Sequence, residues 1–375
     1  MFVDGQPTQA STAHASLKPA DAPCVVDDVV KVPPPPELHG LPPSGPTYYR
    51  RVAPGRTVVA LSDATQIAVA SGLGCAVTRR GRVQCWSLSE VIAAQGKGRQ
   101  KFERRAALIP GIERAVSVGL GRSRACALLE GGQVACWGTE KSDGAVAPQR
   151  IEGIRDARSL SMMSTSDIAC AVTARQTVAC SGPAAFTLPE FPSGWSFERA
   201  VEHPSLTDVR EVALAQTHYC VLQSGGRVRC FGFGSEPTSI VGAHQVVTTD
   251  NTTCVVTASR GASCFGSPSL VGGGAELATT SFLERPREVA GLSQVSALAA
   301  GSDSICALRN DGTARCWGSN ATGGLGDGTR QSRFAPVPLC NARAIVQVAP
   351  GPQSCALFGD GSVRCWGDVE AIEYD

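Results

Sequence analysis

CALRNDGTARCWG, residues 306–318, sets Cys306 and Cys316 ten positions apart with Asn310, Asp311 and Gly312 midway between them. A three-residue loop ending in glycine suits the left-handed position of a tight β-hairpin. Because the loop is centred between the cysteines, it pairs the flanking residues symmetrically and sets the two thiols directly across from each other. Opposed strand residues carry Cβ atoms roughly 4.5–5.5 Å apart, close to the span of a disulfide. The stretch therefore predicts a hairpin stapled by its own cysteines.

Fourteen of the sixteen cysteines fall into such pairs: Cys75 and Cys85, Cys126 and Cys136, Cys170 and Cys180, Cys220 and Cys230, Cys254 and Cys264, Cys306 and Cys316, Cys355 and Cys365. Their first members follow at intervals of 51, 44, 50, 34, 52 and 49 residues, the period of a repeat architecture. Glycine closes the loop in five repeats (Gly81, Gly132, Gly226, Gly312, Gly361), while Gln176 and Arg260 stand there in the other two. Val77 with Val83, Leu128 with Val134, and Leu308 with Ala314 share the cysteine face, which makes it a core face.

A metal-binding reading of the cysteines finds no C-x-x-C, and His14, His39, His203, His218 and His244 show no ligand spacing. No metal and no cofactor are expected. Reduced, buried thiols are the other alternative, but they give no reason for seven opposed pairs. Disulfides persist in oxidising compartments, so the protein is expected to be extracytoplasmic, secreted or on the cell surface. The N-terminal stretch MFVDGQPTQASTAHASLKPADAPC shows no apolar signal-peptide core, which conflicts with that expectation. No run of residues is apolar and long enough to span a membrane.

After the second cysteine comes an aromatic residue in six repeats, at Trp86, Trp137, Phe231, Phe265, Trp317 and Trp366, and Ser181 in the third. The sixth repeat continues as CWGSNATGGLGDGT and is preceded by VSALAAGSDSICALRNDG. In these features the chain resembles the regulator of chromosome condensation type repeat family, over about residues 56–367. The cysteine-bearing form resembles bacterial, secreted members more than the nuclear protein. The resemblance implies an all-β fold, a seven-bladed β-propeller with four antiparallel strands per blade. Forty-one glycines, 24 prolines and short hydrophobic runs agree with short strands joined by turns.

The chain ends imply how the ring closes. Gly111 and Gly291 stand fifteen positions ahead of Cys126 and Cys306, at outer-strand ends; fifteen ahead of Cys75 is Ala60, within VVAL. The N-terminal strand is thus expected to complete blade seven, which ends soon after Trp366, leaving no open sheet edge between the chain ends. Residues 1–54 hold eleven of the 24 prolines and are expected to be a proline-rich disordered tail or tether, with the propeller spanning 55–375. Cys24 and Cys340 are left over, and an eighth bond between them is expected to pin the tail to the rim.

Catalytic motifs are missing from the sequence: there is no G-x-S-x-G, P-loop or H-E-x-x-H. His203 and His218 are expected to be structural, and Glu198 and Glu202 solvated. Net charge of +1 gives no support to nucleic-acid binding. The stretch KGRQKFERR, Lys97 to Arg105, reads as a solvated excursion of blade one. In blade three, residues 181–208 are longer than the repeat needs and carry Phe191, Trp195 and Phe197. These are expected to anchor a partner, or else to fold back over the blade's own edge. The expected function is a monomeric protein-binding scaffold without enzymatic activity. An enzyme inhibitor, like the secreted β-lactamase inhibitory proteins the repeat resembles, is one alternative; a propeller hydrolase or lyase is the other.

Overall fold

The computed structural model describes residues 61–88, 106–139, 147–183, 188–232, 240–273, 282–340 and 342–367, with the backbone of short strands at 30–31, 49–50, 56–59, 92–93 and 102–105. Most of the proline-rich tail, and the stretch from Lys97 to Lys101, lie outside the described residues.

Each stapled hairpin forms the middle of a small antiparallel sheet. Blade six shows the pattern: Val295–Ala300 pairs with Ser304–Arg309, which pairs with Ala314–Gly318, which pairs with Arg333–Pro338. Six other sheets repeat it, giving a seven-bladed all-β propeller; blade four is three-stranded, with Ile240 bridging to Val228 in the fourth place. In every blade the two cysteines are direct partners in the register and form a disulfide, with Cα atoms 4.0–4.1 Å apart. The hairpin explains the closeness. In blade one Thr78 N–H donates to Arg82 O, so alternation along the ladder makes Cys75 and Cys85 a non-hydrogen-bonded pair, the type with the closer side chains.

Gln176 and Arg260 take the same left-handed conformation as the glycines, with φ of 61° and 60°. The reason lies in the next blade. A main-chain N–H at the start of each innermost strand donates to the carbonyl of the preceding blade's loop residue: Ala115 to Gly81, Ala157 to Gly132, Val209 to Gln176, Ala243 to Gly226, Val295 to Arg260, Ile345 to Gly312, and Ala64 to Gly361. These seven bonds of 2.8–3.1 Å form a closed ring. The loop conformation is thus fixed by the seam as well as by the hairpin, which lets two non-glycine residues hold a strained backbone at roughly 1 kcal/mol each. At Gly81 a Cβ would lie 2.7 Å from Arg114 Cα, so there the seam admits glycine alone.

Side chains bind the innermost strands together as well. Gln66 amide oxygen accepts from Val118 N–H while its Nε2 donates to Val118 O. Gln245 makes the same pair of bonds with Leu298, and Gln347 with Ile67. Blade four has Glu211 at this place, and its Oε2 accepts from Val246 N–H.

The fourth position of blade seven is filled from the other end of the chain. Arg56–Val59 pairs antiparallel with Val363–Trp366 through Arg56 with Cys365 and Thr57 with Arg364. On its far side Phe102–Arg105, within the basic stretch of blade one, adds as a parallel strand rather than a solvated excursion. Ala60, fifteen positions ahead of Cys75, lies outside the described residues. Cys340 lies in the turn just past Arg333–Pro338, because the chain must leave the outer edge to reach the next innermost strand. Cys340 is disulfide-bonded; Cys24 lies outside the described residues.

The core is distributed among the seams. Aromatics after the second cysteine pack against the preceding blade: Trp317 with Cys254, Cys264 and Val271, Phe265 with Cys230 and Val228, and Trp86 with Cys355 and Cys365. No described helix is long and apolar enough to cross a membrane.

Candidate binding sites on the propeller

Two places stand apart from the repeat framework. The first is the blade-three insertion between Val178–Ser181 and Val201–Glu202. Its aromatic residues turn inward. Trp195 is 4% exposed and belongs to the cluster that contains Cys170, Cys180, Tyr219 and Phe231. Phe191 is half-buried, stacked 5.8 Å from Trp195 and edge-on to His203 at 4.7 Å. Phe197, also half-buried, lies under the Arg124 guanidinium of blade two at 4.4 Å. Among the described residues the insertion thus covers the edge of its own blade, with Phe191 and Phe197 presenting aromatic surface. Pro192, Ser193 and Gly194 between them are exposed.

His203 holds this insertion from inside. Its Nδ1 accepts from Ser205 N–H and Leu206 N–H, both at 3.2 Å, which places the proton on Nε2. That Nε2–H is buried without a hydrogen-bond partner, 3.9 Å from the Glu190 carboxylate. Burial pushes the imidazole below its usual value, with Glu190 opposing and Arg229 adding to the shift. His218 is buried too, with Nε2 2.9 Å from Thr253 Oγ1, and burial pushes it down to about 3. Both histidines are neutral packing groups. Glu198 is exposed and bonded to Ser196 Oγ, and Glu202 pairs with Arg175, so the carboxylates sit in solvent.

The second place is the axial mouth. The turns joining the first and second strands of the blades converge there around two adjoining cavities of about 290 and 410 Å³. The smaller is lined by residues of all seven blades, among them Ala68, Leu120, Met163, Leu214, Asp250, Ala300 and Val348. The larger is lined by Ser71, Arg122, Thr165, Ser302 and Gln353 with Val69, Leu88 and Pro352. Burial and the nearby Asp303 charge push the Asp250 carboxyl upward. Among the described residues no three His, Cys, Asp or Glu side chains gather as a metal site.

These mouth residues were not singled out in the sequence, although a signal exists. Ser71, Arg122, Ser166, Gln216, Asp250, Ser302 and Gly351 each stand four positions before a first cysteine. The repeat register therefore locates the mouth, but only once the turns are known to meet on one axis.

Seven stapled hairpin units closed into a ring, each seam tied by a main-chain hydrogen bond, define a disulfide-bearing β-propeller. Family models described as "Regulator of chromosome condensation (RCC1) repeat" match residues 295–323 and 311–358, in blades six and seven. No curated protein matches the sequence. Among solved structures, human WBSCR16 is similar with a TM-score of 0.66 at 16% identity, covering 87% of this chain and 92% of that one. Prp20p from Saccharomyces cerevisiae, described with its binding properties to Gsp1p and histones, is similar with a TM-score of 0.62 at 16% identity, covering 81% of this chain and 82% of that one. The yeast protein bound to Kap60 is similar with a TM-score of 0.60 at 16% identity, covering 81% and 80%. At this identity the likeness is one of fold.

Proposed function

We propose that this chain is an extracytoplasmic protein-binding scaffold without enzymatic activity of its own. The observation that carries the reading is the set of seven hairpin disulfides. They point to an oxidising environment and hold a rigid ring from which non-repeat segments project. Binding on such frames resides in the segments the framework does not constrain. The insertion of blade three is the strongest candidate, through Phe191 and Phe197 at its surface, with Trp195 holding it from beneath. Prp20p, whose fold is similar, is described with protein partners, which supports the general role without naming a partner here. The proline-rich tail then serves as a tether, pinned to the rim if Cys24 closes on Cys340.

Crosslinking under non-reducing conditions against the envelope and secreted fractions of the source cells tests this. Phe197→Ser is expected to abolish capture of a saturable partner while leaving the melting temperature within about 2 °C, since the ring lies half-exposed on the surface. Capture by Phe197→Ser equal to that of the native protein overturns the assignment to the insertion.

A further inference from the structure

The end of the ring opposite the axial mouth carries an arc of exposed arginines. In an antiparallel blade the turn joining the second and third strands lies at the far end from the turn joining the first and second. There it meets the start of the innermost strand, through bonds such as Ala174 N–H to Asp156 O and Ser224 N–H to Asp208 O. In blades three to five these loops and strand starts, residues 153–158, 173–177, 205–210, 223–227, 241–245 and 257–261, hold six arginines and two aspartates. Arg155, Arg158, Arg210, Arg227 and Arg260 are exposed and form no ion pair among the described residues, whereas Arg175 pairs with Glu202. The mouth-end turns of the same blades, residues 163–167, 215–217 and 249–251, hold Asp167 and Asp250 and no basic residue.

The fold sets these side chains at the surface. Arg158 and Arg210 sit at β-bulges, where the register passes from Ala157 to Ser159 and from Val209 to Glu211, and a bulge leaves its extra residue out of the ladder. Seam bonds from Val209 to Gln176 and from Ala243 to Gly226 join the loops into one surface. Val241 stands within it. Its neighbour Gly242 packs against both flanking loops: its Cα lies 3.0 Å from where a Cβ on Gly226 would be, and Ala258 Cβ lies 3.7 Å from where its own would be. Val241 is thereby held between the loops of Arg227 and Arg260, and at 73% it is the most exposed large hydrophobic residue among those described.

We propose that this arc docks on a bilayer containing anionic phospholipid, the guanidinium groups pairing with lipid phosphates and Val241 entering the headgroup boundary. Arginine matches phosphate with paired N–H donors, and each basic residue near a charged leaflet adds to binding. A nucleic-acid backbone offers the same phosphates but no apolar layer to receive Val241, so the valine favours lipid. The blade-three insertion leaves its blade at the mouth end, after Val178–Ser181, so docking keeps it clear of the membrane. The inference therefore stands or falls separately from the proposed partner surface.

The experiment sediments the intact, disulfide-bonded protein with vesicles of phosphatidylcholine alone and of phosphatidylcholine containing about one-third phosphatidylglycerol. The expected result is binding to the anionic vesicles at least about tenfold stronger than to the neutral ones, weakening as salt rises. Arg158→Gln, Arg210→Gln and Arg227→Gln combined should lower that binding by at least about tenfold, while lysine at the same three positions retains it. Val241→Ser should lower it about threefold, and Arg122→Gln, at the mouth end, should leave it unchanged. All these variants are expected to melt within about 2 °C of the native protein, since the side chains are exposed. Equal binding to both kinds of vesicle, undiminished binding by the triple glutamine variant or by Val241→Ser, or displacement from the vesicles by duplex DNA at equal phosphate concentration overturns the inference.

Discussion

Blades six and three solve the same problem with opposite chemistry. After its second cysteine each blade must cover the seam beside the next one. Blade six does so with a polar hub. Asn320, fully buried, donates from Nδ2 to Asp327 Oδ1, Thr329 O and Gln331 O, while its Oδ1 accepts from Leu325 N–H. Asp327 in turn pairs with Arg333 at 2.7 Å, the loop buries Leu325, and Gly324 O accepts from the Trp366 indole. Blade three has none of these residues. Its insertion covers the seam with Phe191 and Trp195, which pack with Tyr219 and Phe231 of blade four around the buried His203. A hub of hydrogen bonds needs fixed residue types at fixed spacing and leaves a signature. A cluster of rings needs only apolar volume, which many sequences supply, so it leaves none.

The difference is open to test by breaking each cover in turn. The largest effect is expected at Trp195→Ala, which empties the ring cluster and should cost about 3–5 kcal/mol in denaturant unfolding with the disulfides intact. A cost below about 1 kcal/mol would mean that the insertion does not support its blade. Asn320→Ala comes next, at about 2–3 kcal/mol, because it orphans Leu325 N–H and several carbonyls in a buried site. Its loss should be localised, with faster amide exchange at Leu325 and Gly326.

Acid should separate the two covers. His203 is held neutral in the fold, and an exposed histidine titrates near 6.5, so the unfolded insertion takes up a proton that the folded one resists. Stability contributed by the insertion is therefore full above about pH 6.5 and declines below it. Protonation must also occur at Nδ1, breaking the bonds from Ser205 and Leu206. Hydrogen exchange at those two amides is expected to accelerate relative to blade six as pH falls from about 7 to 5. His203→Gln should abolish that relative change, whereas parallel behaviour of the two blades in the native protein would remove the histidine from the account.

The smallest effect is expected at the innermost strands. Glu211 stands where three other blades have glutamine, and burial raises its carboxyl. As a carboxylate it has no proton for the Val246 carbonyl, the bond that Nε2 makes at the glutamine seams. Its raised value means that stability is greatest in acid and falls as pH rises past the ordinary glutamate value, about 4.3. Glu211→Gln should therefore stabilise the protein by about 1 kcal/mol at neutral pH and by less as pH falls toward 4. A destabilised variant at pH 7 would show that blade four does not use the bridge seen in blades one, five and seven.

Much of this architecture is legible in the sequence because it is repeated. The ten-residue cysteine spacing fixes hairpin, register and core face together, and the loop glycines announce the turn. Even Gln176 and Arg260, which break the glycine rule, keep the geometry, since the seam bonds from Val209 and Val295 hold them there. What is not legible lives between blades. Arg122, Thr165 and Asp250 acquire meaning only when their turns meet on the axis, more than forty residues apart in sequence. The inward turn of Trp195 is equally hidden, because an aromatic outside a periodic strand reads the same whether it faces a partner or its own blade.

The central claim is that this ring is built for an oxidising environment, with every hairpin closed by its own disulfide. Each bond closes an eleven-residue loop worth about 2.5–3 kcal/mol on the chain-entropy model, so the bonds are integral to the fold. Non-reducing peptide mapping of the protein recovered from its natural cells tests this most directly. The account predicts seven linkages, each joining a first cysteine to the one ten positions later, with no free thiol among those fourteen residues. Recovery of folded protein with most of these cysteines as free thiols would contradict it.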